Sequence, residues 1–74
     1  MTLLLSGHIQ ADDLPELERV MESYRQPVVL NMAGVKLVDR EAVRFLAEFE
    51  ATNGKITGCP SYIREWIRRE RAER

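Results

Sequence analysis

The segment GVKLVDREAVRFL, residues 34–46, decides how this chain folds. Its first half is an apolar run of strand-like composition. Its second half begins a series, Ala42, Phe45, Leu46 and Phe49, whose intervals of three and four place these side chains along one face of a helix. Between the halves lie three consecutive charges, Asp39, Arg40 and Glu41. An aspartate directly ahead of a helical run is a start signal, because its carboxylate accepts hydrogen bonds from N–H groups that have no partner inside the helix. Glu41 in the first turn adds a favourable interaction with the helix dipole. The triplet is therefore expected to begin a helix, and the question it poses is whether it also recognises something.

Working outward, VVLNMAGV at residues 28–35 is aliphatic with little polar alternation, as in a central strand covered on both faces, with Asn31 its one polar interruption. TLLLSGHI at residues 2–9 predicts a short buried strand ending near Gly7. Between these strands, Leu14, Leu17, Val20, Met21 and Tyr24 recur at helical spacing. Asp13 with Glu16 fits a capping box, and Pro15 suits a first turn, where its missing N–H costs nothing. Gln26-Pro27 breaks this helix, and Asn53-Gly54 stops the next one. KITGC at residues 55–59 predicts a brief third strand. Pro60 is then expected in the first turn of a last helix carrying Tyr62, Ile63, Trp66 and Ile67 as an apolar arc of about two turns. The order β-α-β-α-β-α with short connections predicts one small α/β domain over residues 1–74, with right-handed crossovers and a short, mostly parallel sheet. Residues 69–74 are expected to form a charged, frayed tail.

At 74 residues and 45% hydrophobic, the chain can build one small core and only modest stability. No stretch approaches the roughly 20 apolar residues of a membrane span, and MTLLL lacks the basic start and apolar length of a signal peptide, so a cytoplasmic protein is expected. The net charge of −1 exerts no global pull on nucleic acid or acidic membranes, but the charge is unevenly spread. Residues 1–35 hold five acids and two bases, whereas residues 59–74 hold five arginines and three glutamates.

Catalytic constellations are not legible. His8 stands alone and reads as a surface or turn residue. Cys59, the only cysteine, reads as a packed or cap-like thiol, although a helix N-terminus beside Pro60 would favour its thiolate. Gly7, Gly34, Gly54 and Gly58 form no phosphate-binding loop. Asn31 and Asp39 are expected to flank the C-terminal end of the second strand, where open α/β sheets bind ligands, but they do not by themselves make a pocket. Arg64, Arg68 and Arg71 project away from the apolar arc, and Glu65–Arg69 and Glu70–Arg74 have the spacing of helical ion pairs, which describes a solvated face more simply than a phosphate-binding one. No enzyme activity, cofactor or metal site is expected.

Two short motifs carry a family resemblance. LSGHI, residues 5–9, is similar to the Leu-x-Gly-x-Ile/Leu strand end of the STAS domain, named for sulfate transporters and anti-sigma factor antagonists. The 34–46 segment resembles that family's passage from a hydrophobic strand through Asp-Ser-Ser/Thr-Gly-hydrophobic into a helix. The resemblance covers residues 3 to about 70 and implies a trimmed fold without the family's first hairpin strand and terminal strand. Exposed sheet edges would follow, and with them a homodimer as an expected partner state. Asp39 matches the family's aspartate and Val43 its hydrophobic position. Arg40 stands where partner-switching members carry the phosphorylated serine, Glu41 replaces the following Ser or Thr, and Ala42 replaces Gly.

The resemblance thus implies a regulator that binds an anti-sigma factor or comparable protein, without the phosphorylation switch at this position. On a helical wheel Arg40 and Arg44 lie opposite the predicted core stripe, with Val43, Ala47 and Ala51 on an adjoining flank of small residues. The expected partner-binding set is Asp39, Arg40, Glu41, Val43, Arg44 and Ala47. Two other readings stay open: a nucleic-acid accessory using the Arg-rich last helix, and a small-ligand or anion binder using helix N-termini near Asn31, Asp39 and Cys59.

Overall fold

The computed structural model describes residues 1–24, 27–52 and 54–72. Gln26, Asn53 and Arg74, invoked above for a helix break, a helix stop and an ion pair, lie outside the described residues, as does the end of the predicted tail. The elements follow the predicted order: β1 (Thr2–Ile9), α1 (Leu14–Glu22) after a short 3-10 turn, β2 (Val29–Val38), α2 (Arg40–Ala51), β3 (Lys55–Thr57) and α3 (Ser61–Ala72). The sheet is fully parallel, in the order β1-β2-β3. The fold is small α/β, as the alternation of strand and helix patterns requires.

Several local expectations are corrected. β1 does not stop at Gly7 but runs to Ile9, passing Gly7 with a positive φ of 73° that glycine adopts without steric penalty. Neither β1 nor β2 is covered on both faces. Leu3, Leu5 and Ile9 turn inward from β1, while Leu4 is 79% exposed on the other side. β2 is ten residues long against eight in β1, and the difference is absorbed at two irregularities, where Leu4↔Asn31 is followed by Ser6↔Gly34 and Gly7↔Val35 by His8↔Leu37. Each extra residue shifts the inward set, so Leu30, Met32, Val35 and the half-buried Val38 share the core face although their numbers do not alternate. This masking of period two made β2 read as a two-sided strand. The Asn31 side chain accepts from Ala33 N–H at 3.0 Å beside the first irregularity, near the start of β2, so Asn31 and Asp39 sit at opposite ends of the strand.

The core joins Leu30, Met32, Val35 and Ile9 of the sheet to Ala42, Val43, Leu46 and Ala47 of α2 and to Ile63 and Ile67 of α3. The buried stripe of α2 is therefore rotated from its predicted position. Phe45 and Phe49 lie at its half-buried margin, and Val43 and Ala47, expected on an outward flank, are fully enclosed. α1 is peripheral: Leu14 packs against the core, Leu17, Val20 and Met21 are half-buried, and none is fully buried. Its start also differs from the predicted capping box, because the Asp13 carboxylate reaches back to Gln10 N–H at 3.0 Å rather than into the helix.

Pro60 stands just ahead of α3, where its carbonyl accepts from Arg64 N–H at 2.9 Å. The helix continues to Ala72, beyond the point where fraying was predicted. β3 pairs with Val29, Leu30 and Asn31, and among the described residues the rest of β2 has no strand on that side. There the Tyr62 hydroxyl of α3 donates to the Lys36 carbonyl.

Candidate protein-contact surface

Asp39 begins the candidate site. Its backbone is extended (φ −98°, ψ 177°), and its carboxylate accepts from two N–H groups: Oδ1 from Ala42 at 2.8 Å and Oδ2 from Ala11 at 2.8 Å. The first bond caps α2, and the second ties the β2–α2 corner to the β1–α1 corner. Hydrogen bonds to the charged form, first from Ala42 and then from Ala11, hold the Asp39 carboxyl below the usual aspartate range. Its oxygens are thereby directed into the protein's own backbone. The small depression of about 250 Å³ nearby, bounded by His8, Leu37 and Asp39, lies where an anion would meet this carboxylate.

Arg40, Glu41 and Arg44 emerge from the next turns and are exposed. They also belong to an inter-helix network. Arg40 Nε lies 3.6 Å from Glu70 of α3, and Arg44 lies 3.6 Å from Glu41 and 3.9 Å from Glu70. At the other end of the α2–α3 seam, Arg64 Nη1 donates to both oxygens of Glu50 at 2.7 and 2.8 Å, and Arg71 approaches the same carboxylate at 3.7 Å. The side chains of Glu50 and Glu70 are only 15% and 13% exposed, so each end of the seam holds a largely covered carboxylate between two arginines. Spacing within one helix could not reveal the pairs of Glu50 and Glu70, because their arginines lie on the other helix and only the packing of α2 against α3 brings them together.

The arginines expected to form a solvated face are consequently divided. Arg64 and Arg71 turn toward α2, while Arg68 and Arg69 lie 3.7 and 3.8 Å from Glu65. Cys59 is half-buried against the core, and burial raises its thiol pKa, opposing the thiolate that a helix N-terminus would favour. His8 is exposed on β1. Among the described residues, no group of three His, Cys, Asp or Glu side chains could hold a metal ion, and no helix is long and apolar enough to cross a membrane.

Of the six predicted contact residues, Asp39, Arg40, Glu41 and Arg44 gather at the N-terminal half of α2, whereas Val43 and Ala47 belong to the interior. Their place beside the charged residues is taken by side chains that were assigned to the core. Phe45 and Phe49 of α2, with Leu14 and Met21 of α1, line an open groove of about 370 Å³, and Glu18, Glu41, Arg44 and Glu48 form its rim. The signal for this groove was present in the sequence as an apolar arc on α2 too wide for a single core stripe. No family model, curated protein or solved structure matches the chain.

Proposed function

We propose that this protein is a non-catalytic regulatory module that acts by protein contact in the cytoplasm, as its resemblance to anti-sigma factor antagonists suggests. Its partner would be an anti-sigma factor or comparable regulator. The observation that carries this reading is the junction of an exposed charged turn, Arg40, Glu41 and Arg44, with the apolar α1–α2 groove on one face of the molecule. An apolar centre beside polar and charged groups has the make-up of a protein interface. Asp39 supports it by anchoring the start of α2 at two points. With Arg40 at the position of the family's phosphorylated serine, contact at this site is not switched by phosphorylation there.

Simple reversal of Arg40 and Arg44 would set two new acids against Glu70, mixing binding with stability. The cleaner variant is the exchange Arg40→Glu, Arg44→Glu and Glu70→Arg, which inverts the surface and keeps attraction across the seam, at the cost of a repulsion of about 0.2–0.5 kcal/mol between the new acid at position 44 and Glu41. A partner recovered by affinity capture from the native cell and then purified should bind this variant at least about tenfold more weakly, at a melting temperature within about 4 °C of the wild type's. Equal affinity would remove the α2 surface from consideration.

A second copy is also a partner in this reading, favoured by one observation: β1 is an eight-residue edge strand without a lysine, arginine, acid or proline. The alternatives have less support. A nucleic-acid surface would need the α3 arginines for phosphates, yet Arg64, Arg68, Arg69 and Arg71 each lie within 4 Å of a carboxylate. An anion at the start of α2 would compete with Asp39 for the same N–H group.

A further inference from the structure

We infer that the α1–α2 groove takes a basic amphipathic helix from a partner protein, with apolar anchors seated against Phe45 and Phe49 and lysines or arginines facing Glu18 and Glu41. The inference rests on the protein-contact reading and adds the chemistry of the partner segment.

Three observations carry it. The first is geometry. Phe45 and Phe49 are four residues apart on α2 and Leu14 and Met21 seven apart on α1, so the two walls carry apolar groups about 6 and about 10.5 Å apart along their axes, the length of one and two turns of an incoming helix. The second is charge. The 3-10 turn and α1 expose Asp12, Asp13, Glu16, Glu18 and Glu22 against Arg19, and α2 adds Glu41 and Glu48 to the rim. Arg44, the cation that lines the groove, pairs with Glu41 and Glu70, and the lining of Glu18, Glu41 and Glu48 against Arg44 still sums to a formal charge of −2. The acidic margin favours a cationic segment and disfavours nucleic acid or an acidic peptide. The third is looseness. α1 has no fully buried residue, so it can move against α2 at small cost, and Met21 can repack around different anchors.

The test uses the isotope-labelled full chain in an NMR titration. One synthetic peptide of about four turns has leucines on one face and lysines on the other. A matched peptide has glutamate at every lysine position, and both are measured at about 50 and about 150 mM salt. The lysine peptide should bind saturably, shift the amides of α1 and of α2 around Phe45 and Phe49, and weaken at higher salt. Glu18→Lys with Glu41→Lys should weaken it roughly five- to tenfold. The milder Glu18→Gln with Glu41→Gln should weaken it about threefold, which guards against a folding defect in the reversed pair. Glu65→Lys, on α3, should leave it unchanged.

Equal binding of both peptides, no saturable binding, or shifts confined to α3 would overturn the inference. Concentration-dependent shifts of the peptide-free chain in the groove together with Tyr62 and Trp66 would assign the groove to a second copy and overturn it as well. A partner lost on the Arg40, Arg44 and Glu70 exchange while the lysine peptide fails to bind would sink the groove chemistry alone. A partner indifferent to that exchange would sink the contact reading instead.

Discussion

At the scale of single residues, Asp39 is central because a carboxylate has two acceptor oxygens and the fold uses both. Asparagine can still cap α2 through its one oxygen, but it presents an N–H group where Ala11 needs an acceptor. Asp39→Asn should therefore lower the melting temperature, and Asp39→Ala should lower it further. Because the folded pKa of Asp39 is depressed, its contribution is fully present above the unfolded aspartate pKa, near pH 4, and declines as pH falls through the folded value. Denaturant unfolding at pH 7, 4 and 3 should show the wild type losing its advantage over Asp39→Asn as acid is added; a constant gap would refute this role. Gly54 illustrates a different reading of a familiar residue. The Asn-Gly pair suggested a turn, but the structural demand is space: a Cβ there would collide with the Phe49 carbonyl oxygen and ring.

At the scale of elements, α2 shows how much of a helix periodicity can and cannot locate. Ala42, Val43, Phe45, Leu46, Ala47 and Phe49 span an arc of about 200° at 100° per residue, wider than one core stripe. The phenylalanines appeared to mark its centre because they are large. The fold instead buries Ala42, Val43, Leu46 and Ala47, where small side chains let α2 approach its neighbours closely, and leaves the phenylalanines half-buried between the core margin and the groove. Ala47→Leu should then destabilise by about 1–3 kcal/mol through overpacking, whereas an outward Ala47 would tolerate leucine; thermal or denaturant unfolding distinguishes the two. The α2–α3 seam makes a similar contrast among glutamates. Glu50→Ala leaves Arg64 without its short bonds and should cost about 1–2 kcal/mol, while Glu65→Ala, which loses exposed pairs only, should stay within about 0.5 kcal/mol.

At the scale of the molecule, the buried strand residues all face one side, leaving Leu4 and Leu37 exposed on the other, where a parallel sheet is ordinarily covered. Leu4→Lys should change monomer stability by no more than about 0.5 kcal/mol despite standing in the run Leu3-Leu4-Leu5. If β1 is the self-association edge, the same substitution should lower the mass measured by light scattering at high concentration. A wild-type chain that is monomeric under those conditions would exclude the homodimer.

The order of elements, the α/β class, the start of α2 at Asp39 and the inward roles of Leu46, Ile63 and Ile67 were legible in the sequence, because each depends on local periodicity or on a cap within one turn. Tertiary structure decided which side of the wide α2 arc is buried, that the helices leave one sheet face open, and that Glu50 and Glu70 each stand between arginines of the packed helices. These features depend on strand register and helix packing, which join residues far apart in the chain. Two extra residues in β2 hid its inward-facing set from any count of alternation, and no spacing within a single helix could have named the partners of Glu50 and Glu70 on the other.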